Sequence, residues 1–494
     1  MNVSAENIRL IFGLKLHELR TTHKYSLSEL SAKTGISKSY LNEIEKGKKY
    51  PKPEKITHIA QVFGVSYEYL VSLDLSKRLS PISDLVKSNL LTELPLEFFG
   101  IKAIDLLNLL ATAPTKFSAF VDAIIQIGRE HDIHVESLYF SVLRSYQEMH
   151  DNYFPEIESA AKHTRKKYGL SIQNETLKNE IEDILVNTYG YTIYYDQIPN
   201  KEALSSVRYL FIEGRKHKLL MHYQLDHRQK LFILARELGI CEIGLIPRNY
   251  TSSWITSQSF SHVLNNFKAY YFASALILDE RFFTKGLVDF TKNTTFDPSE
   301  VIALMHKSLT SAEPFMLRIT NLVPRYFRFS QLFFIRYNEN INDHIYKMTK
   351  VLHGSGISKS SAAAIELKAC QRWAAITSLT KFSKSSGSQP VCFVYRLSYE
   401  NVNKEYLLIA VTQKMLPTRD MNSCTMVGFL INDRFAEKSK FLDDSSIEKH
   451  CVTHQWLLDH DYNIEDGMNK SELMEHDLTL KQTNKAIQQL MGAF

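Results

Sequence analysis

Apolar positions over residues 5–73 recur at helical spacing in short blocks. Ile8, Ile11, Phe12, Leu16 and Leu19 share one face of a helix predicted over Asn7–Thr21. Ser26-Leu-Ser-Glu29 opens a second block. There Ser26 caps the backbone and Glu29, three residues on, reaches back to close a capping box. Leu27, Leu30 and Ala32 are its expected buried positions. Gly35 supplies the left-handed residue of a tight turn. Ser37 then caps a third helix over Lys38–Lys46, with Leu41 and Ile44 inward, ending at Gly47. Helices over Pro53–Phe63 and Val65–Leu73 close a small core.

Beyond this head, three apolar-rich helices are expected at Pro95–Leu110, Phe117–Glu130 and Val135–His150, burying against each other or against a second subunit. Lys218–Tyr223 reads as a strand leading into a buried helix over Arg228–Ile240, and a further helix covers Asn266–Ile277. Leu332–Tyr337, Val391–Leu397, Tyr406–Thr412 and Met426–Ile431 read as strands rich in β-branched and aromatic residues. The polar stretch Ser398–Glu405 reads as the turn of a hairpin, and Ser383–Ser388 as a flexible loop. The expected class is multidomain, mainly α with α+β: a helix-turn-helix head at 1–75, a helical connector at 80–150, and two further blocks at 151–290 and 291–494.

Composition narrows this picture. In 494 residues, 44% hydrophobic and 23% charged, the 18 Gly and 13 Pro exclude collagen-like and low-complexity chains. Charged residues interrupt the apolar stretch at the N-terminus, unlike a secretory signal. No apolar run reaches the roughly 18–20 residues that span a bilayer. Cys241, Cys370, Cys392, Cys424 and Cys451 are scattered and odd in number, unlike a disulfide framework. The expectation is a cytoplasmic protein with no membrane partner.

Charge is segregated. Residues 1–80 hold 13 Lys+Arg against 8 Asp+Glu, which is the whole net +5; the other 414 residues balance at 46 of each (59 less 13, 54 less 8). A basic head that meets a polyanion and a neutral body with another task follow from that split.

The head supplies chemistry for such a partner. A capped helix, a turn with Gly and a second capped helix form a helix-turn-helix, whose second helix lies in a major groove. Its N-terminal side chains are Lys38, Ser39, Tyr40, Asn42 and Glu43. Lys donates to guanine, Asn pairs with adenine and Glu accepts from cytosine. Arg20, Lys48, Lys49 and Lys52 suit phosphates, and the caps Ser26 and Ser37 complete the candidate DNA-facing set. Gly13-Leu-Lys-Leu-His-Glu-Leu-Arg20, Ser26–Ala32, Gly35–Gly47, Pro51 and Phe63-Gly-Val-Ser together resemble the Xre/Cro-like repressor family. That resemblance implies a lambda-repressor-like fold, double-stranded DNA with a palindromic operator as partner, and a homodimer.

The middle block resembles the ImmA/IrrE family of zincin-like metallopeptidases through Lys218–Tyr223, Arg228–Ile240 and Asn266–Ile277. That family's helix carries His-Glu-x-x-His, two imidazoles a turn apart with Glu as general base. Here the motif falls on Arg236, Glu237 and Ile240, and the acidic third ligand falls on Asn266. A guanidinium has no lone pair to give a metal, and isoleucine has no donor atom. The resemblance therefore implies a pseudo-peptidase without metal or hydrolysis, in which Glu237 pairs with Arg236 or a nearby Lys. His217, His222 and His227, spaced by five, match neither a helix pair nor a strand face and read as ordinary polar histidines.

Together with Cys370-Gln-Arg-Trp373, Val427–Ala436 and Cys451 followed by His454, the domain order resembles the short-chain fatty-acyl (ScfR-type) regulators. That resemblance implies an acyl-CoA-like effector for the 291–494 block. His454 and Asp459 stand at the family's later cysteine positions, so no iron–sulfur cluster is carried over and no cofactor is expected. The functional expectation is a dimeric, sequence-specific transcriptional regulator under metabolite control. A zinc metallopeptidase and an antitoxin-like or phage-type regulator controlled by a protein partner are the alternatives.

Overall fold

The computed structural model describes residues 5–72, 135–195, 207–251, 259–327, 331–342, 345–353, 362–385, 389–399, 402–415, 421–452 and 482–492, with isolated positions 197, 198, 204 and 329. The expected helices Pro95–Leu110 and Phe117–Glu130 lie outside the described residues, as do His454, Asp459 and the side chains of Cys370 and Cys451. The chain divides into two compact units, Met1–Val142 and Leu143–Phe494.

In the first unit, α1 (Ala5–Thr22), α2 (Leu27–Thr34), α3 (Lys38–Glu45), α4 (Pro53–Phe63) and α5 (Tyr67–Val71) follow the apolar periodicity. Phe12, Leu16, Leu30, Ile36, Leu41, Ile44, Ile56, Ile59, Phe63 and Leu70 form one buried cluster. Each such side chain contributes ~1.5–3 kcal/mol on leaving water. Ala32, expected inside, is exposed; Thr34 is buried in its place. The Thr34 hydroxyl donates to the Leu30 carbonyl at 2.7 Å and accepts from the Ile36 amide at 3.3 Å, so burial leaves it satisfied.

The second unit begins within α6 (Val135–Met149), the expected third connector helix, followed by α7 (Pro155–Tyr168) and α8 (Leu177–Asn187). A three-stranded sheet, β1 (Tyr191–Tyr194), β2 (Tyr209–Ile212) and β3 (His217–Met221), has the order β1-β3-β2. The pair β1–β3 is parallel and β2–β3 antiparallel. Leu210, Ile212 and Leu220 bury against Ile487 of a helix over 482–492. Next come α9 (His227–Ile243) and α10 (Phe260–Ile277), the two helices that carry the motif-derived positions.

Helices α11 (Glu280–Phe290), α12 (Pro298–Lys307) and α13 (Ala312–Phe327) lead to a six-stranded sheet. Its strands are β4 (Leu332–Asn340), β5 (Ile345–His353), β6 (Val391–Tyr399), β7 (Val402–Lys414), β8 (Met421–Leu430) and β9 (Glu448–Val452). They lie in the order β5-β4-β8-β7-β6-β9, antiparallel except for β6–β9. Alternation sorts the two faces. Phe334, Val394, Leu407, Ile409 and Val427 pack against Phe315, Ile319 and Leu322 of α13. Phe333, Ile335, Tyr395, Leu408 and Met426 pack against Ala374, Ala375 and Leu379 of α14 (Ala362–Lys384). A short helix, α15 (Asp433–Lys438), follows β8. Leu278 and Phe283, from the expected middle block, belong to the same core as the sheet. The blocks 151–290 and 291–494 therefore pack as one unit.

Two expectations are corrected here. The polar stretch Ser398–Glu405 is mostly strand, because Ser398 pairs with Glu405 and Tyr399 with Val402; a backbone ladder is indifferent to side-chain polarity. Ser383 and Lys384 are the last turn of α14, and the Ser385 amide donates to the Lys381 and Phe382 carbonyls.

Candidate nucleic-acid interface

Local chemistry fixes the angle between α2 and α3. The Ser26 hydroxyl accepts from the Glu29 amide at 3.2 Å, while the Ser26 amide donates to Glu29 Oε2 at 2.7 Å. Gly35 takes φ 69°, and no atom would meet a Cβ there, so the requirement for glycine is conformational. Ser37 accepts from the Tyr40 amide at 3.3 Å and starts α3.

Helix α3 rests on α1. Gly13 allows the close approach: a Cβ there would lie 2.5 Å from the Ile44 carbonyl oxygen and 2.8 Å from that of Glu45. Beside it, Arg20 donates to both oxygens of Glu45, at 2.6 and 3.0 Å, and to the Tyr25 carbonyl at 2.9 Å. His17 Nδ1 lies 3.1 Å from Glu45 Oε2. Burial would raise the Glu45 carboxyl, but the hydrogen bonds and charges of His17 and Arg20 prevail and hold it below its ordinary value. Lys15 is fully buried on α1, its ammonium donating to the carbonyls of Tyr69 and Ser72 and so tying α1 to the end of α5.

With α1 behind it, α3 presents Lys38 and Ser39 to solvent, with Asn42 and Glu43 half-buried. Lys48, Lys49 and Lys52 are exposed just after α3. A helix-turn-helix family model, HTH_3, matches residues 16–70. Residues 16–70 form a helix-turn-helix domain. The uncharacterized HTH-type transcriptional regulator RghRB of Bacillus subtilis (strain 168) is 40% identical over 62 residues, which are 12% of this chain and 45% of that protein. The chain thus spans less than half the length of the curated relative it matches. A solved structure of a Mycobacterium tuberculosis transcriptional regulator aligns over 63% of this chain and 88% of its own, at 17% identity and a TM-score of 0.43.

Within the helix-turn-helix domain, two of the candidate DNA-facing side chains also have partners in the protein. Arg20, expected at a phosphate, is committed to Glu45 and the Tyr25 carbonyl, so it positions α3. Tyr40 is half-buried, its hydroxyl donating to the Tyr50 carbonyl at 3.3 Å and its ring lying 4.2 Å from the Lys55 ammonium. Sequence reasoning missed Glu45 and Lys15. A charged residue on the inner face of α1 was the available signal for Lys15.

Because the folded-state pKa of Glu45 is depressed, its contribution to stability is present above the unfolded value of about 4.3 and is lost as pH falls through the folded value. Hydrogen-exchange protection of α1 and α3 is therefore expected to drop below about pH 4. Glu45→Gln should lose that acid-dependent step; an unchanged acid profile would contradict the assignment.

In the body, the four motif-derived positions lie on α9 and α10, but not as a metal set. Arg236 donates to the Tyr209 hydroxyl and, at 2.6 Å, to Asn266 Oδ1. Ile240 packs with Leu245 and Ala269. The residues do not fit zinc: a protonated guanidinium occupies the first ligand position, isoleucine the second, and the Asn266 oxygen at the third already accepts from that guanidinium. Among the described residues, no group of three or more His, Cys, Asp and Glu is placed to hold a metal ion.

Glu237, fully buried, pairs with Arg248 at 2.5 Å rather than with Arg236 or a lysine. Tyr191 donates to the same carboxylate oxygen at 3.1 Å. Burial disfavours the Arg248 cation, yet the adjacent Glu237 holds its pKa above the ordinary value. The Arg248 guanidinium also stacks 3.5 Å from the Phe211 ring centroid. No spacing rule in the sequence announces this pair, which a loop and a turn bring together. Of the three histidines, His222 is buried with its Nδ1 accepting from the Gln224 amide at 3.2 Å, and His217 packs between Tyr191 and Phe211. Among the described residues, no helix is long and apolar enough to cross a membrane.

Proposed function

We propose that the chain is a sequence-specific DNA-binding transcriptional regulator, acting as a homodimer on a palindromic operator, with a body that senses a metabolite of the acyl-CoA type. The observation that carries the reading is the helix-turn-helix domain. Its second helix, set by the Ser26–Glu29 and Ser37 caps and by the Gly13 contact, turns Lys38, Ser39 and Asn42 outward beside Lys48 and Lys49. Base-edge donors and acceptors at a helix start, flanked by phosphate-binding lysines, are what major-groove readout needs. Dimerisation follows from the two half-sites such domains read.

The body contributes no hydrolytic chemistry in this reading. The positions around Glu237 that would ligate a metal hold Arg236, Ile240 and Asn266, which offer no donor set for zinc, and the Glu237 charge is matched by Arg248. Control by an effector requires that the ligand bind two states of the body with different affinity.

Selection of DNA from a random pool by the full-length protein, repeated with a panel of acyl-CoA thioesters, tests both halves. An enriched palindrome whose affinity shifts with one thioester supports the whole reading. Enrichment without a shift removes the thioester, and no enrichment removes DNA recognition in favour of a protein partner. Stoichiometric zinc in the purified protein, lost on replacing Asn266, would favour the peptidase instead. On the selected operator, Lys48→Ala is expected to weaken binding to all sequences alike and to reduce the salt slope by about 1. An unchanged slope would take Lys48 off the phosphate backbone.

A further inference from the structure

A cluster where α10, α13 and the β4–β5 hairpin meet serves neither the helix-turn-helix nor the Arg236–Asn266 site. Arg336 on β4 and Lys350 on β5 stand opposite each other in register, and like charges placed directly across a sheet repel. Glu313 of α13 holds them, its Oε2 accepting from Arg336 at 2.6 Å and its Oε1 from Lys350 at 2.8 Å. Burial would raise the Glu313 carboxyl; the charges of Lys350, Arg336 and Arg208 hold it far below the usual carboxylate range.

The charge of Arg208, beside β2, also acts on this carboxylate. The other carboxylate in its field, Asp226, caps α9 by accepting from the Gln229 amide at 2.8 Å. Tyr270 of α10 walls the cluster, its ring 4.9 Å from the Lys350 ammonium and edge-on to Phe232 at 4.7 Å. The side chains reach solvent, with Arg336 14%, Glu313 17% and Lys350 35% exposed, so the cluster is partly open and not a sealed core.

Polar pairing in this cluster is one-sided. Arg336 Nε and the Tyr270 hydroxyl are buried atoms without a hydrogen-bond partner, and both donate. Both oxygens of Glu313 are already engaged, so the shortage is of acceptors. The oxygens of a phosphate or carboxylate supply acceptors and negative charge together, in the fork geometry a guanidinium favours.

We propose that this cluster, with Tyr270, Arg336 and Lys350 as its donors, binds the phosphate or carboxylate group of a small anionic ligand. Glu313 is the internal anion that orders the cations and competes with the ligand for them. The inference deepens the effector half of the reading above by giving it a site, and it rests on that half alone.

Calorimetric titration of the full-length chain, without DNA, with inorganic phosphate, pyrophosphate and succinate tests it. The expected result is saturable binding of one anion per chain, the phosphate and carboxylate arms showing which group is preferred. Lys350→Met should weaken it at least about tenfold through loss of one of the paired charges. Glu313→Gln should strengthen it, because the competing charge is gone while an acceptor remains. A purely structural ion pair predicts the opposite pattern, with lower melting temperatures and no effect on anion affinity. Should Glu313→Gln fail to fold, Lys350→Met, at the more exposed position, still decides the matter. No binding of any probe at millimolar concentration, or binding indifferent to Lys350→Met, overturns the proposal. Since no DNA is present, either outcome leaves operator recognition to be judged separately.

Discussion

Replacing Arg318 with methionine is expected to destabilise the body by about 3–5 kcal/mol, the usual cost of removing one partner from a buried ion pair. Arg318 is fully buried on α13. It donates to both oxygens of Glu158 on α7, at 2.5 and 3.0 Å, and to the Leu278 carbonyl at 3.1 Å. Tyr271 of α10 donates to the same Glu158 oxygen at 2.8 Å. One guanidinium therefore joins α7, α10 and α13. Burial opposes its charge, but the Glu158 hydrogen bonds and charge prevail and raise its pKa above the ordinary value. Without it Glu158 keeps its desolvation and loses its cation. The check is the denaturant midpoint of the body, followed by hydrogen exchange in α7 and α13 while protection of α1–α3 stays unchanged. A loss under about 1 kcal/mol would mean that the pair behaves as a surface salt bridge.

The second large effect is expected at Gly13. Gly13→Ala puts a methyl carbon 2.5 Å from the Ile44 carbonyl oxygen, inside any allowed contact, and the obstruction is backbone on both sides. No rotamer relieves it, so α1 and α3 must separate. Overpacking of this kind costs ~1–3 kcal/mol. The displacement also weakens the Arg20–Glu45 pair and tilts the helix that carries Lys38 and Asn42. The expected outcome is reduced hydrogen-exchange protection in α1 and α3 together with weaker operator binding, while the body keeps its stability. Gly13→Ala with unaltered operator affinity would show that the approach of α1 does not set the position of α3.

Local signals carried the head and part of the body; β1, β2, β5 and β9 were not read. Ser26 with Glu29, Gly35 and Ser37 each act within a few residues, and the helices they predict start and stop where those residues stand. Runs rich in β-branched and aromatic residues located β4, β6, β7 and β8, although the polar stretch between β6 and β7 concealed how far the ladder runs. The limits of α14 escaped, because its alanine-rich sequence gives little contrast between its faces. Long-range pairs were illegible: Arg20–Glu45 within the head, Glu237–Arg248 in the body, and Arg318–Glu158 across the second unit. In each, a charge that looks solvated in the sequence is matched by a residue whose proximity only folding creates. That is why Arg20 reads as a phosphate ligand until Glu45 is seen beside it. Lys15 escaped for a related reason, since its ammonium is satisfied by backbone carbonyls that no side-chain pattern reveals.

In the proposed function, α3 reads base edges while the lysines after it hold the backbone. The most direct test is the affinity of wild-type and Asn42→Ala protein for the selected operator and for every single-base-pair change of it, at fixed salt. The account predicts that Asn42→Ala loses ~1–3 kcal/mol on the intact operator and becomes indifferent to one base pair in each half-site, with the other positions still discriminated. A uniform loss at every position, or none, would contradict it.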